Sequence, residues 1–152
     1  MAGFTNKGKY RMLGAIFRGE TLPTNFYVAL VTDAVAPAAD INTFGELTEI
    51  ADTQGYTTGG IQLTPGATDF DTWTESDAND NALVQIKDLV WTASGGSLPA
   101  SGDGARYAVL LDDNVTIGSR EVWAFWDLVS ARSVSDTQTL TLADLEMDFN
   151  ES

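Results

Sequence analysis

The side chains best suited to chemistry near neutral pH are missing, because the 152-residue chain contains neither histidine nor cysteine. Histidine is the usual general base and the commonest transition-metal ligand. Ser-His-Asp catalysis, thiolate chemistry, disulfides and Cys- or His-based zinc sites are therefore excluded. Carboxylate, lysine, tyrosine and hard-metal chemistry remain. Asp77, Asn79, Asn81 and Asp88 fall at positions 1, 3, 5 and 12 of a calcium-loop template, but Ala82 stands at the sixth position, where the sharp turn needs glycine. The residues after it read as strand, not as an exiting helix. A looser oxygen-ligand calcium site here or at Asp112 and Asp113 competes with a plain solvated hairpin tip. Paired carboxylates could serve a glycosidase. With 22 acidic residues some pair is always close in space, however, and none is marked as buried beside an aromatic cleft. Trp123, Phe125 and Trp126 could form a sugar platform, but their alternation favours core packing. No phosphate-binding G-x-x-x-x-G-K-[ST] or G-x-G-x-x-G motif occurs, and Asn114-Val115-Thr116 reads as a chance match to a glycosylation acceptor. No catalytic residue, metal ligand or cofactor is assigned, and the expectation is a protein that is not an enzyme.

Charge is the more informative feature. The net charge is −14, which argues against a nucleic-acid partner, since phosphate contacts need a Lys/Arg surplus. Its distribution is uneven. Residues 1–19 hold Lys7, Lys9, Arg11 and Arg18 and no acid, whereas the remainder holds four basic residues against all 22 acidic ones. A short cationic head thus precedes an acidic body, an asymmetry that can steer docking between subunits. Lys7, Lys9, Arg11 and Arg18 are the candidate contact residues.

These residues need elements to present them. Length and a hydrophobic content of 43% suit a single domain over 1–152, with enough chain to bury a core. No apolar run approaches the roughly 20 residues that span a bilayer, and the start lacks a signal-peptide apolar stretch. The expectation is a soluble, unprocessed chain with no membrane partner. A basic helix is expected over about 5–18, with Thr5 or Asn6 as N-cap and Gly19 as terminator. Tyr10, Leu13 and Phe17, broadened by Met12 and Ile16, form its apolar stripe, which is expected to pack on the protein's own sheet.

A β body is expected over about 25–149. Phe26 to Val31 reads as a strand buried on both faces, residues 33–44 as a loop, and Leu47–Ile50 and Ile61–Leu63 as short strands around a Gly55-Tyr56 turn. Pro65 to Asn81 is turn-rich and acidic. Ala82 to Trp91 reads as one strand with a β-bulge near Lys87–Asp88, and Thr92 to Gly104 as an extended glycine-rich loop. Arg106–Leu111 and Glu121–Val129 alternate clearly, with Val122, Ala124, Trp126 and Leu128 on one face and Trp123, Phe125 and Val129 on the other. The last strand runs from Gln138 through Phe149, with a second bulge near Ala143–Asp144. The expected fold is mainly β, an antiparallel β-sandwich or jelly-roll-like barrel with a short N-terminal helix.

Taken in order, three segments carry a resemblance: "PTNFYVALVT" after the opening helix, "LTEIADTQGYTTGGIQLT", and "REVWAFWDLVSARSVSDTQTLTLADLEMDF". Together they resemble a family of small structural proteins of tailed-bacteriophage virions, head-decoration or tail-fibre-like, over nearly the whole chain. The chain departs from the family pattern at Thr57 and Thr58 after Gly-Tyr, and in a longer loop from Ser94 to Gly104. The resemblance implies no catalytic residues. It implies a capsid decoration or cement subunit, assembled in the host cytoplasm and resident in the virion. Such a subunit would be a homo-oligomer, with a trimer favoured, bound to the major capsid protein or other virion proteins. The basic helix or the Ser94–Gly104 loop would make the contact, and removing residues 1–19 is expected to release the domain without unfolding it. A tail fibre or adaptor subunit is the alternative, and a carbohydrate-binding or hydrolytic module is the third reading.

Overall fold

The computed structural model describes residues 2–150. Within them the chain is mainly β, its paired strands are antiparallel, and a single α-helix lies near the start. The main sheet holds five strands in the order β1 (Ala2–Phe4), β8 (Val122–Arg132), β7 (Ala105–Leu111), β2 (Phe26–Val31) and β3 (Ile61–Leu63). Two smaller sheets are β10 (Leu145–Asn150) with β5 (Asn81–Ile86) and β4 (Thr72–Ser76), and β6 (Leu89–Thr92) with β9 (Thr139–Leu142). They do not close into a barrel, so of the two expected architectures the sandwich-like one is present.

The central strands are apolar along their whole length because both faces of the main sheet are covered. Successive side chains point to opposite faces. Val28, Leu30, Ala108, Leu110, Ala124 and Trp126 meet Ile86, Leu89, Trp91, Leu140, Leu142, Leu145 and Met147 of the smaller sheets. On the other face Ala29, Val31, Val109, Leu111 and Val122 lie under Phe44 and Leu47. That cover comes from a 3-10 turn, Phe44–Glu46, and its flanks, where a strand over Leu47–Ile50 was expected; only an isolated bridge, Val31 to Glu49, forms there. Each fully buried Leu, such as Leu30, Leu63 or Leu111, contributes about 1.5–3 kcal/mol.

Strand β8 corrects one expected pattern. Leu110 pairs with Ala124 but Leu111 pairs with Val122, leaving Trp123 as an extra residue. The bulge resets the alternation. Val122 therefore joins the face of Phe125, while Trp123 joins Ala124 and Trp126. Phe26 packs edge-on against the Trp123 ring at 5.1 Å between centroids.

The two bulges expected at Lys87–Asp88 and Ala143–Asp144 prove to be one structure. Ile86 pairs with Leu145 and Leu89 with Leu142, so the register runs on unchanged across the gap. The paired ribbon simply turns a corner there and passes from one small sheet to the other. Asp144 takes φ of 54° and accepts a hydrogen bond from Gln85 Nε2 at 2.7 Å. The Lys87 N–H leaves the ladder for Asp69 O at 3.0 Å, and the Lys87 ammonium pairs with the Asp69 carboxylate. That pairing holds Asp69 below the usual carboxylate range. The same acidic stretch also contains strand β4, where only turns were expected.

Candidate interaction surface

Helix α1 (Asn6–Arg18) follows β1 and is fastened to the body by its first turn. Thr5 is the N-cap and is fully buried. Its Oγ1 accepts the Gly8 N–H at 2.9 Å and donates to the Val122 carbonyl, and its own N–H donates to Trp123 O at 3.0 Å. The helix start is thus tied to the bulge of β8. Gly8 makes this approach possible, since a Cβ there would overlap the Trp123 carbonyl. The helix ends where Gly19 adopts φ of 68° and the Glu20 N–H reaches Gly14 O at 3.2 Å, a left-handed cap that glycine takes without strain.

The glycine side of the helix faces the body, and the apolar stripe does not. Tyr10, Leu13, Ile16 and Phe17 are 60%, 56%, 71% and 74% exposed; of the stripe, Met12 alone packs against the core. The expectation that the stripe covers the sheet is therefore overturned. Backbone packing through Gly8 and the Thr5 cap takes the place that large side chains would have filled. Leu13 forms a ridge between two grooves. One, of about 470 Å³, is lined by Met12, Leu13, Ile16, Leu22 and Phe149, with Lys9 at its rim. The other, of about 500 Å³, is lined by Tyr10, Leu13 and Phe17 with Arg18 and Glu20. Phe149 is held in place by Phe4 of β1, with ring centroids 4.5 Å apart.

The four basic candidates separate into two roles. Arg11 is committed internally: its guanidinium grips Glu121 through Nε–Oε2 at 2.6 Å and Nη2–Oε1 at 2.8 Å, and reaches Glu20 at 3.3 Å. This fork holds the Glu121 carboxyl below the usual range and raises the arginine further. Lys7 lies 3.8 Å from the same carboxylate. Lys9 and Arg18 are exposed and make no ion pair among the described residues. The sequence marks the four as one cluster, but the structure leaves two of them facing outward beside the apolar grooves. β1 is an edge strand of the main sheet, and Thr5 and Gly8 pack on the bulge of β8, so residues 1–19 include one strand of that sheet as well as the helix.

The other chemical candidates lie elsewhere. Residues 77–80 form the exposed turn between β4 and β5, and Asp88 sits at the corner beyond β5, about 20 Å along the strand. The calcium-loop template is therefore not assembled as one loop. Among the described residues no three acidic side chains gather closely enough to hold a metal ion. Asp112 is raised by burial, but its Oδ1 accepts the backbone N–H groups of Asn114 and Glu121. Trp123 and Trp126 are buried and Phe125 half-buried, which is core packing and not an exposed platform.

A second polar cluster is internal. Burial raises Glu49, whose Oε1 accepts the Tyr56 hydroxyl at 2.7 Å and the Gly59 N–H at 2.6 Å. Arg120 lies 3.7 Å from the Tyr27 ring centroid and donates to Gly59 O at 3.0 Å. These bonds order the loop before β3. No helix among the described residues is long and apolar enough to cross a membrane. In comparison with known proteins, no family model matches the chain and no curated protein is significantly similar to it.

Proposed function

We propose that the chain is a structural subunit of a tailed-phage virion, a decoration or cement protein that sits on the outer capsid shell and works by protein contacts, without catalysis. The ordered sequence resemblance supports the virion setting. The observation that carries the contact role is the outward apolar face of α1, Tyr10, Leu13, Ile16 and Phe17, with Lys9 and Arg18 beside it, neither in an ion pair among the described residues. Contiguous apolar surface rimmed by polar residues marks interaction sites, and a helix face is a standard element for docking into a groove. In this reading the Tyr10–Leu13–Phe17 flank beside Arg18 meets the major capsid protein or another virion protein. The acidic body faces solvent and keeps the free subunit soluble.

The test is occupancy on shells that lack the protein. A Tyr10→Ser, Phe17→Ser double variant changes only exposed side chains, so its melting temperature should stay near wild type while shell occupancy falls by about tenfold or more. Wild-type occupancy by the variant would remove the helix as anchor. Copy number on native particles decides the location: hundreds of copies place the protein on the capsid, and a dozen or fewer place it in the tail.

A further inference from the structure

We infer that copies of this chain join by seating the exposed Trp73 indole of one copy in the apolar groove beside helix α1 of the next. The inference deepens the reading above by naming the contact that makes the oligomer. Trp73 is 87% exposed and stands on β4, an edge strand paired only with β5. A bare indole on an open edge is unusual for an isolated domain, and Trp is among the residues that most often dominate interface energetics. Its neighbours along the chain are acidic and exposed: Asp71, Glu75 and Asp77. The knob therefore has an anionic rim.

The groove is its complement. Met12, Leu13, Ile16, Leu22 and Phe149 give it an apolar wall, about 470 Å³ is ample for an indole, and Lys9 stands at its rim. With a net charge of −14, two copies repel in most orientations. The orientation that brings the acidic β4 edge to the cationic helix is the one the charge distribution favours. Pairing two β4 edges directly would bring the acidic side chains flanking Trp73, Asp71 and Glu75, of both copies together, and facing like charges disfavour that arrangement. The Leu13 ridge separates this groove from the Tyr10–Phe17 flank, so shell contact and copy contact can coexist on one helix.

Light scattering after size exclusion, at tens of micromolar chain, tests the contact with two variants at exposed positions, Trp73→Ser and Ile16→Glu. The wild type should be oligomeric, and each variant alone should lose association by about thirty-fold or more. Because one variant keeps the groove and the other keeps the knob, mixing them should restore association. A monomeric wild type, either variant assembling like wild type, or a mixture that stays monomeric would overturn the inference. Shell occupancy is read separately: if Tyr10→Ser, Phe17→Ser still binds shells while Trp73→Ser is monomeric, the anchor reading fails and this contact stands.

Discussion

Helix α1 and strand β8 carry the same kind of signal, a regular run of large apolar side chains, and dispose of it in opposite ways. In β8, Val122, Trp123, Ala124 and Trp126 are buried on two faces of the main sheet. In α1, Tyr10, Leu13, Ile16 and Phe17 are mostly exposed, and the helix meets the sheet through Gly8 and the Thr5 cap. Periodicity states which side chains share a face, but not what that face meets. Small residues decide the question, because where a Cβ is absent the backbone itself can become the contact. An apolar helix face left over from such packing is available for a partner.

Three substitutions would break or sharpen this contrast. The largest effect is expected from Gly8→Val, which drives a branched side chain into the Trp123 carbonyl and should cost about 3 kcal/mol in urea unfolding. A near-neutral result would mean that the helix is not held by close backbone approach. Glu121→Gln tests the clamp from the other side. The Arg11 fork lowers the Glu121 pKa from its ordinary 4.5, so the folded state favours the ionised carboxylate. Its contribution is complete above that ordinary value and is lost as pH falls through the lowered one. The variant should lose about 1 kcal/mol at neutral pH, and its gap from wild type should close in acid, as read from urea midpoints across a pH series. A gap independent of pH would show that the fork acts by shape and not charge. The smallest effect belongs to Leu13→Ser, expected within about 0.5 kcal/mol of wild type, since Leu13 is more than half exposed and stands outside both core clusters.

Much of the frame was legible because local rules and tertiary context agree there. Residue types point to Thr5 or Asn6 as N-cap and Gly19 as terminator; Thr5 takes the cap and Gly19 ends the helix. The alternation in β2 and β7 matches strands covered on both faces. The phase shifts at residues 87–88 and 143–144 are visible in the sequence too, but each taken alone resembles a bulge. Only pairing shows that they lie opposite each other as one corner. Strand β4 was hidden because Thr-Trp-Thr-Glu-Ser is an exposed edge with little apolar pattern. Of the candidate surface, the sequence marks the basic residues, whereas its apolar stripe points inward by periodicity and lies outward in the structure. Glycine is a weak helix former, yet Gly8 is what lets the helix lie against β8.

The union of β1 with β8 has a kinetic consequence. Ala2 pairs with Trp126, and Phe4 stacks on Phe149, so this strand is synthesised long before its partners, which lie more than a hundred residues further along the chain. Closing so long a loop carries an entropic cost before any contact repays it, and topologies dominated by distant strand pairs fold slowly, in roughly milliseconds to seconds. The main sheet cannot be completed from its N-terminal edge before β8 has been made. Until β8 emerges, helix α1 has neither the bulge that fastens its cap nor the glutamate that grips Arg11.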